Sequence, residues 1–98
     1  MANLFLLDLS YTAGIDAIDA LMPAHRDFLA GYYADGTFLV SGRKEPRTGG
    51  VILARGTRER IEAIVAEDPF TRGGVVAYTV TEFVPTTTAP ALEALRVV

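Results

Sequence analysis

Asn3-Leu4-Phe5-Leu6-Leu7-Asp8-Leu9-Ser10-Tyr11 is the stretch on which the reading of the fold turns. Alternate residues of a strand face opposite sides, so Leu4 and Leu6 share one face while Phe5, Leu7 and Leu9 share the other. Both faces are apolar. A strand with that pattern belongs in the middle of a sheet that is covered on both sides.

Outward from this strand, Gly14 to Asp35 carries a helical stripe of Ile15, Ile18, Met22, His25, Leu29 and Tyr32, spaced 3-4-3-4-3, with Gly36 as its stop. Pro23 lies inside the stripe and predicts a kinked or two-part helix. A second strand is expected over Thr37–Gly42, with Phe38 and Val40 opposing Leu39 and Ser41. Arg43–Gly49 reads as a hairpin loop and Val51–Arg55 as the third strand. The next helix, about Arg58–Glu67, has Thr57 as N-cap, Ile61, Ile64, Val65 and Asp68 on its inward side, and Pro69 at its end. Gly74–Val84 reads as the fourth strand. Pro85–Pro90 is a threonine-rich linker, and Ala91–Val98 is long enough for a short terminal helix.

The order βαββαβ predicts an α+β, ferredoxin-like domain over residues 1–85 and a linker and short tail over 86–98. Right-handed crossovers place both helices on one face of a four-stranded antiparallel sheet. Nothing in the chain then remains to cover the second apolar face, so a homodimer or higher oligomer is expected.

The composition narrows the function. Of 98 residues, half are apolar, and the net charge is -3 with both signs dispersed; nucleic-acid binding, which needs a clustered basic face, is not supported. The chain has no cysteine and one histidine, which excludes thiolate chemistry and argues against zinc or haem. No metal and no cofactor are expected. No apolar run approaches the length of a membrane span and no leader pattern is present, so the expectation is a cytoplasmic protein acting on a small molecule.

His25 and Asp68 are ionisable residues on apolar helical stripes, where each needs a partner. Helices lying side by side would let them serve each other, as a candidate general-base dyad. The ordered set Pro23-Ala24-His25, Ser41-Gly42, Gly49-Gly50 and Glu67-Asp68-Pro69-Phe70 resembles the YciI-like (YCII-related) family over roughly residues 3–85. The resemblance implies a dimeric α+β barrel of ferredoxin-like subunits and an active site at His25 and Asp68. It also implies kinship with an enzyme that removes chloride from a chlorinated hydroxyhydroquinone, and a fold like that of muconolactone isomerases. Arg43 follows Gly42 here, where many members have proline.

The expected activity is therefore metal-free acid–base chemistry of lyase, dehalogenase or isomerase type. His25 would be the base and Asp68 its orienter, with Ser41, Gly42, Arg43 and Tyr32 as substrate-binding residues. Arg43 would reach an anionic group of the substrate. Two other readings are a small-ligand binding or accessory protein without turnover, and a monooxygenase of the same barrel architecture. Ser41 lacks a nucleophile elbow, so a Ser-His-Asp hydrolase is disfavoured.

Overall fold

The computed structural model describes residues 2–98. Its elements run β1 (Asn3–Tyr11), α1 (Ile15–Ala34), β2 (Phe38–Arg43), β3 (Gly49–Gly56), α2 (Arg58–Glu67), α3 (Pro69–Arg72) and β4 (Val76–Phe83), followed by a 3-10 segment at Pro90–Leu95. The sheet order is β2-β3-β1-β4, with every neighbouring pair antiparallel. This is the ferredoxin-like α+β arrangement: β1 and β3 are central, and the helices lie against one side.

The core forms where that side meets the helices. Phe5, Leu7 and Leu9 of β1 and Ile52 and Ala54 of β3 are buried with Ile18, Ile61, Ile64 and Phe70. Apolar side chains removed together from water supply the main drive for layering helices on a sheet. On the opposite side Leu6, Val40 and Phe83 are exposed. Leu4, on that same side, is buried and shares a concavity with Ala94–Val97, and Val97 N–H donates to the Pro85 carbonyl. The tail therefore reaches one end of a face that the strand pattern alone leaves wholly uncovered.

Four local expectations need correction. First, α1 is one continuous element through Pro23, not two parts. Asp19 and Pro23 are exposed, so the carbonyl that loses its helical partner can be hydrated, while Ile18 and His25 are packed on either side of the proline. Second, Ile15 is 42% exposed, because the packed stretch of α1 begins only at Ile18. Third, Pro69 does not simply end a helix. It opens α3, with Asp68 closing α2 and capping α3 at once, which joins the preferences for Asp at an N-cap and Pro at the first helical position.

The fourth correction concerns β2. A bulge between Phe38 and Val40 shifts its pairing on β3, and one inserted residue exchanges the faces beyond it. Phe38 pairs with Ala54 and Ser41 with Ile52, so Phe38 and Ser41 share the helix side and Val40 faces away.

The Gly49-Gly50 pair belongs to β3 rather than to the hairpin loop. A Cβ at Gly49 would fall far inside contact distance of the Leu9 carbonyl oxygen, a clash with backbone that only parting β1 from β3 would relieve. A Cβ at Gly50 would meet nothing closer than the Gly42 oxygen at 3.1 Å. Gly49→Ala is therefore expected to cost about 1–3 kcal/mol of folding stability, and Gly50→Ala distinctly less. Urea denaturation of the two variants checks this; equal losses would contradict the backbone-contact argument.

Candidate functional site

α1 presents His25 to the junction between α2 and α3, where Asp68 is fully buried. His25 Nδ1 lies 2.9 Å from Asp68 Oδ1. The same oxygen accepts the Phe70 backbone N–H at 2.9 Å, and Asp68 Oδ2 accepts the Tyr78 hydroxyl at 2.5 Å. These donors come from α1, α3 and β4. A carboxylate removed from water is tolerated when donors of this kind surround it. Burial, followed by the nearby Asp68 charge and their hydrogen bond, pushes the Tyr78 phenol far above its ordinary value, so Tyr78 remains a donor.

The hydrogen bonds assign the histidine tautomer. A backbone N–H can only donate, so Oδ1 is fixed as an acceptor and the proton between it and Nδ1 belongs on the ring. In the neutral ring the lone pair is then on Nε2. This nitrogen has no hydrogen-bond partner among the described residues, and the only sealed side-chain polar atom without a partner among them is Thr71 Oγ1. Nε2 is thus within reach of solvent although the residue as a whole is only 8% exposed. The ring stacks on Phe70, with centroids 4.0 Å apart and planes within 11°, which fixes its orientation.

His25 lines a concavity of about 180 Å³ with Leu9, Tyr11, Met22, Leu29, Ile52 and Phe70 as its apolar wall. Ser41, Gly42, Arg43, Gly49 and Gly50 complete the rim together with Arg26. Asp68 lies behind the ring, away from this space. The arrangement offers an imidazole with Nε2 at an apolar cavity and a carboxylate on its far side; in its neutral form such a ring can accept a proton and hold the resulting charge.

The sequence-predicted residues separate into those brought together and those kept apart. His25, Ser41, Gly42 and Arg43 line one cavity, and Asp68 supports it. The Ser41 Oγ accepts a hydrogen bond from the Tyr33 hydroxyl at 2.5 Å, and no bond joins it to His25. Tyr32, expected to bind substrate, does not line the cavity. Its hydroxyl donates to Glu67 Oε1 at 2.7 Å, and that hydrogen bond, more than burial, raises its pKa. It also packs edge-on against Phe28. Three contributors are additions to the expected set: Tyr78, Phe70 and Arg26. Tyr78 falls on the helix side of β4 opposite Leu9, a position that strand alternation marks as inward. Arg26 follows His25 directly, and nothing in its sequence setting distinguishes it from a surface arginine.

Among the described residues no group of three or more His, Cys, Asp or Glu side chains is placed to hold a metal ion, and no helix is long and apolar enough to cross a membrane.

No curated protein matches this chain. Its fold is similar to that of 5-chloro-2-hydroxyhydroquinone dehydrochlorinase (TftG) from Burkholderia phenoliruptrix AC1100, solved in complex with 2,5-dihydroxybenzoquinone. The TM-score is 0.73 at 22% sequence identity, covering 82% of this chain and 92% of that one. At that identity the likeness speaks for the fold alone. Residues 5–84 match the YCII-related domain, from the middle of β1 to just beyond β4, and the chain belongs to the YCII-related domain family.

Proposed function

We propose that this protein is a small-molecule enzyme of lyase, dehalogenase or isomerase type in which His25 is the general base and Asp68 orients it. The observation that carries the reading is the 2.9 Å contact of Nδ1 with a buried carboxylate, combined with a free Nε2 at an apolar cavity. The neighbouring fold of a dehydrochlorinase agrees with a reaction that begins by removing a proton from an oxygenated ring.

In that reaction Nε2 takes the proton of a substrate hydroxyl. The O–H bond breaks, the N–H bond forms, and the electron pair stays on oxygen. As the pair moves into the ring a carbonyl forms. The displaced electrons either expel a leaving group as its anion or take up a proton at carbon. Asp68 stabilises the imidazolium and holds its tautomer; Arg43 and the polar groups of Ser41 and Gly42 bind the substrate. The imidazolium returns its proton to water or to the product.

The functional unit is a homodimer built on the outer side of the sheet. Leu6, Val40 and Phe83 are exposed there on β1, β2 and β4, an apolar surface of the kind that association buries. Sedimentation at micromolar concentration is expected to give twice the chain mass, and a stable monomer would refute this assembly.

Replacing His25 by Gln removes the base. Its turnover on hydroxyquinols or enol lactones is expected to fall by about 10²–10⁴, with helix content and oligomeric state kept. Undiminished turnover per folded molecule would overturn the assignment. Asp68→Asn is expected to be milder, because the amide oxygen can still accept from Phe70 and His25 while its NH2 faces the Tyr78 hydroxyl. What is lost is the negative charge behind the ring.

Tyr78→Phe separates support from chemistry. It leaves Asp68 Oδ2 buried without its donor and is expected to lower folding stability by about 1–3 kcal/mol. Chemical denaturation measures this directly; no loss would mean that Asp68 does not depend on the phenol.

A further inference from the structure

We infer that the His25 cavity selects an aromatic acid, a single ring bearing a carboxylate, and that Arg26 and Arg43 together bind the carboxylate. This rests on the reading of the cavity as a substrate site and names the class of substrate it takes.

The inference starts from charge pairing. Carboxylates outnumber basic side chains in this protein, 12 Asp and Glu against 9 Lys and Arg. Around the cavity mouth the pairing is selective. Arg47, beside it, holds Asp19 at 2.6 Å. Arg26 and Arg43 have neither a hydrogen bond nor an ion pair with any side chain among the described residues, and both line the same cavity as His25. They come from different elements, α1 and the end of β2. The bulge in β2 contributes, because it sets Arg43 opposite Gly50 on the helix side.

The shape adds the second constraint. Arg26 and Arg43 line the inner cavity of about 180 Å³ and also an outer hollow of about 420 Å³, which Tyr11, Met22 and the Arg47–Asp19 ion pair share. A dry cavity of about 150 Å³ accommodates a benzene ring, so the inner space has room for one ring with small substituents. The apolar wall suits the ring, Nε2 receives its hydroxyl, and two arginines with donors to spare line both spaces. A carboxylate pairs with a guanidinium in bidentate fashion. A neutral hydroquinone would leave both cations unused.

The single histidine makes the test direct, since its Hε1 is the one imidazole resonance of its kind in the protein. Benzoate and benzyl alcohol are titrated separately into the full-length protein at constant pH and ionic strength, following the His25 ring resonance. Benzoate is expected to shift this signal saturably and to bind at least about tenfold more tightly than benzyl alcohol. Arg26→Ala and Arg43→Ala are each expected to weaken benzoate about tenfold, the scale of a hydrogen bond to a charged group, while leaving benzyl alcohol unchanged. Both arginines are exposed, so these variants keep the fold, which the unperturbed His25 signal verifies. Arg47→Ala is the control, because its charge is already taken by Asp19.

Equal affinity for the acid and the alcohol would overturn the inference. So would no His25 shift with millimolar benzoate, or an Arg47 effect as large as the others. Because binding is read without turnover, charge selectivity can stand while His25→Gln retains full activity, in which case only the base assignment fails. Loss of activity in His25→Gln without charge selectivity would refute the aromatic-acid class alone.

Discussion

Burying the Asp68 carboxylate is the constraint on which the rest of the site depends. A carboxylate with no exposed surface is costly unless its oxygens are met by donors. Here the three donors arrive from α1, α3 and β4, and the carboxylate itself sits where α2 hands over to α3. No two neighbours in sequence could supply this set. Both crossovers and an edge strand must be in place before the charge is satisfied, so correct docking of the layers and correct tautomer of His25 are one event. The ring is held for the same reason: moving it would leave Asp68 Oδ1 with the Phe70 N–H as its one donor, in a place without exposed surface.

The same arrangement divides the histidine into a dry side and a wet side. Nδ1 faces the carboxylate, one ring face lies on Phe70, and Nε2 is left toward the cavity. The dry contacts set position and tautomer, while in the proposed reaction the wet nitrogen does the exchanging. A histidine satisfied at both nitrogens would serve packing alone.

Much of this arrangement is legible in the amino-acid sequence. The two-faced pattern of Asn3–Tyr11 marks the central strand, and the helical stripes carry His25 and Asp68 to one layer. Those signals are strong because burial acts on many residues at fixed spacing. What escapes a sequence reading is set by single residues or by context. α3 has four residues, too few for any periodicity, and Pro69 is equally good as a stop and as a start. The β2 bulge leaves no mark in an alternating apolar pattern, yet it reverses the faces of Val40 and Ser41. Tyr32 continues the stripe, but long side chains near a helix end can turn to a polar neighbour, and Glu67 is that neighbour. Arg26 is invisible because an exposed arginine is the ordinary case; only its place in the lining of the His25 cavity distinguishes it.

The cavity owes its existence to side chains that are absent. Gly50 stands opposite Leu9 and Arg43 on the helix side of the sheet, where the next residue of that side, Ile52, is buried core. Any larger residue at position 50 would extend the core toward α1 and fill the space in front of His25. Gly49 answers a different demand, the close approach of β1 and β3 backbones. The two adjacent glycines thus serve opposite ends, one bringing strands together and the other holding a hollow open. An apolar core would ordinarily close such a hollow, since packing gains contacts wherever a gap can be filled. That it stays open beside the only histidine, above a carboxylate so fully hydrogen-bonded, ties Gly50 to the cavity as Gly49 is tied to the fold.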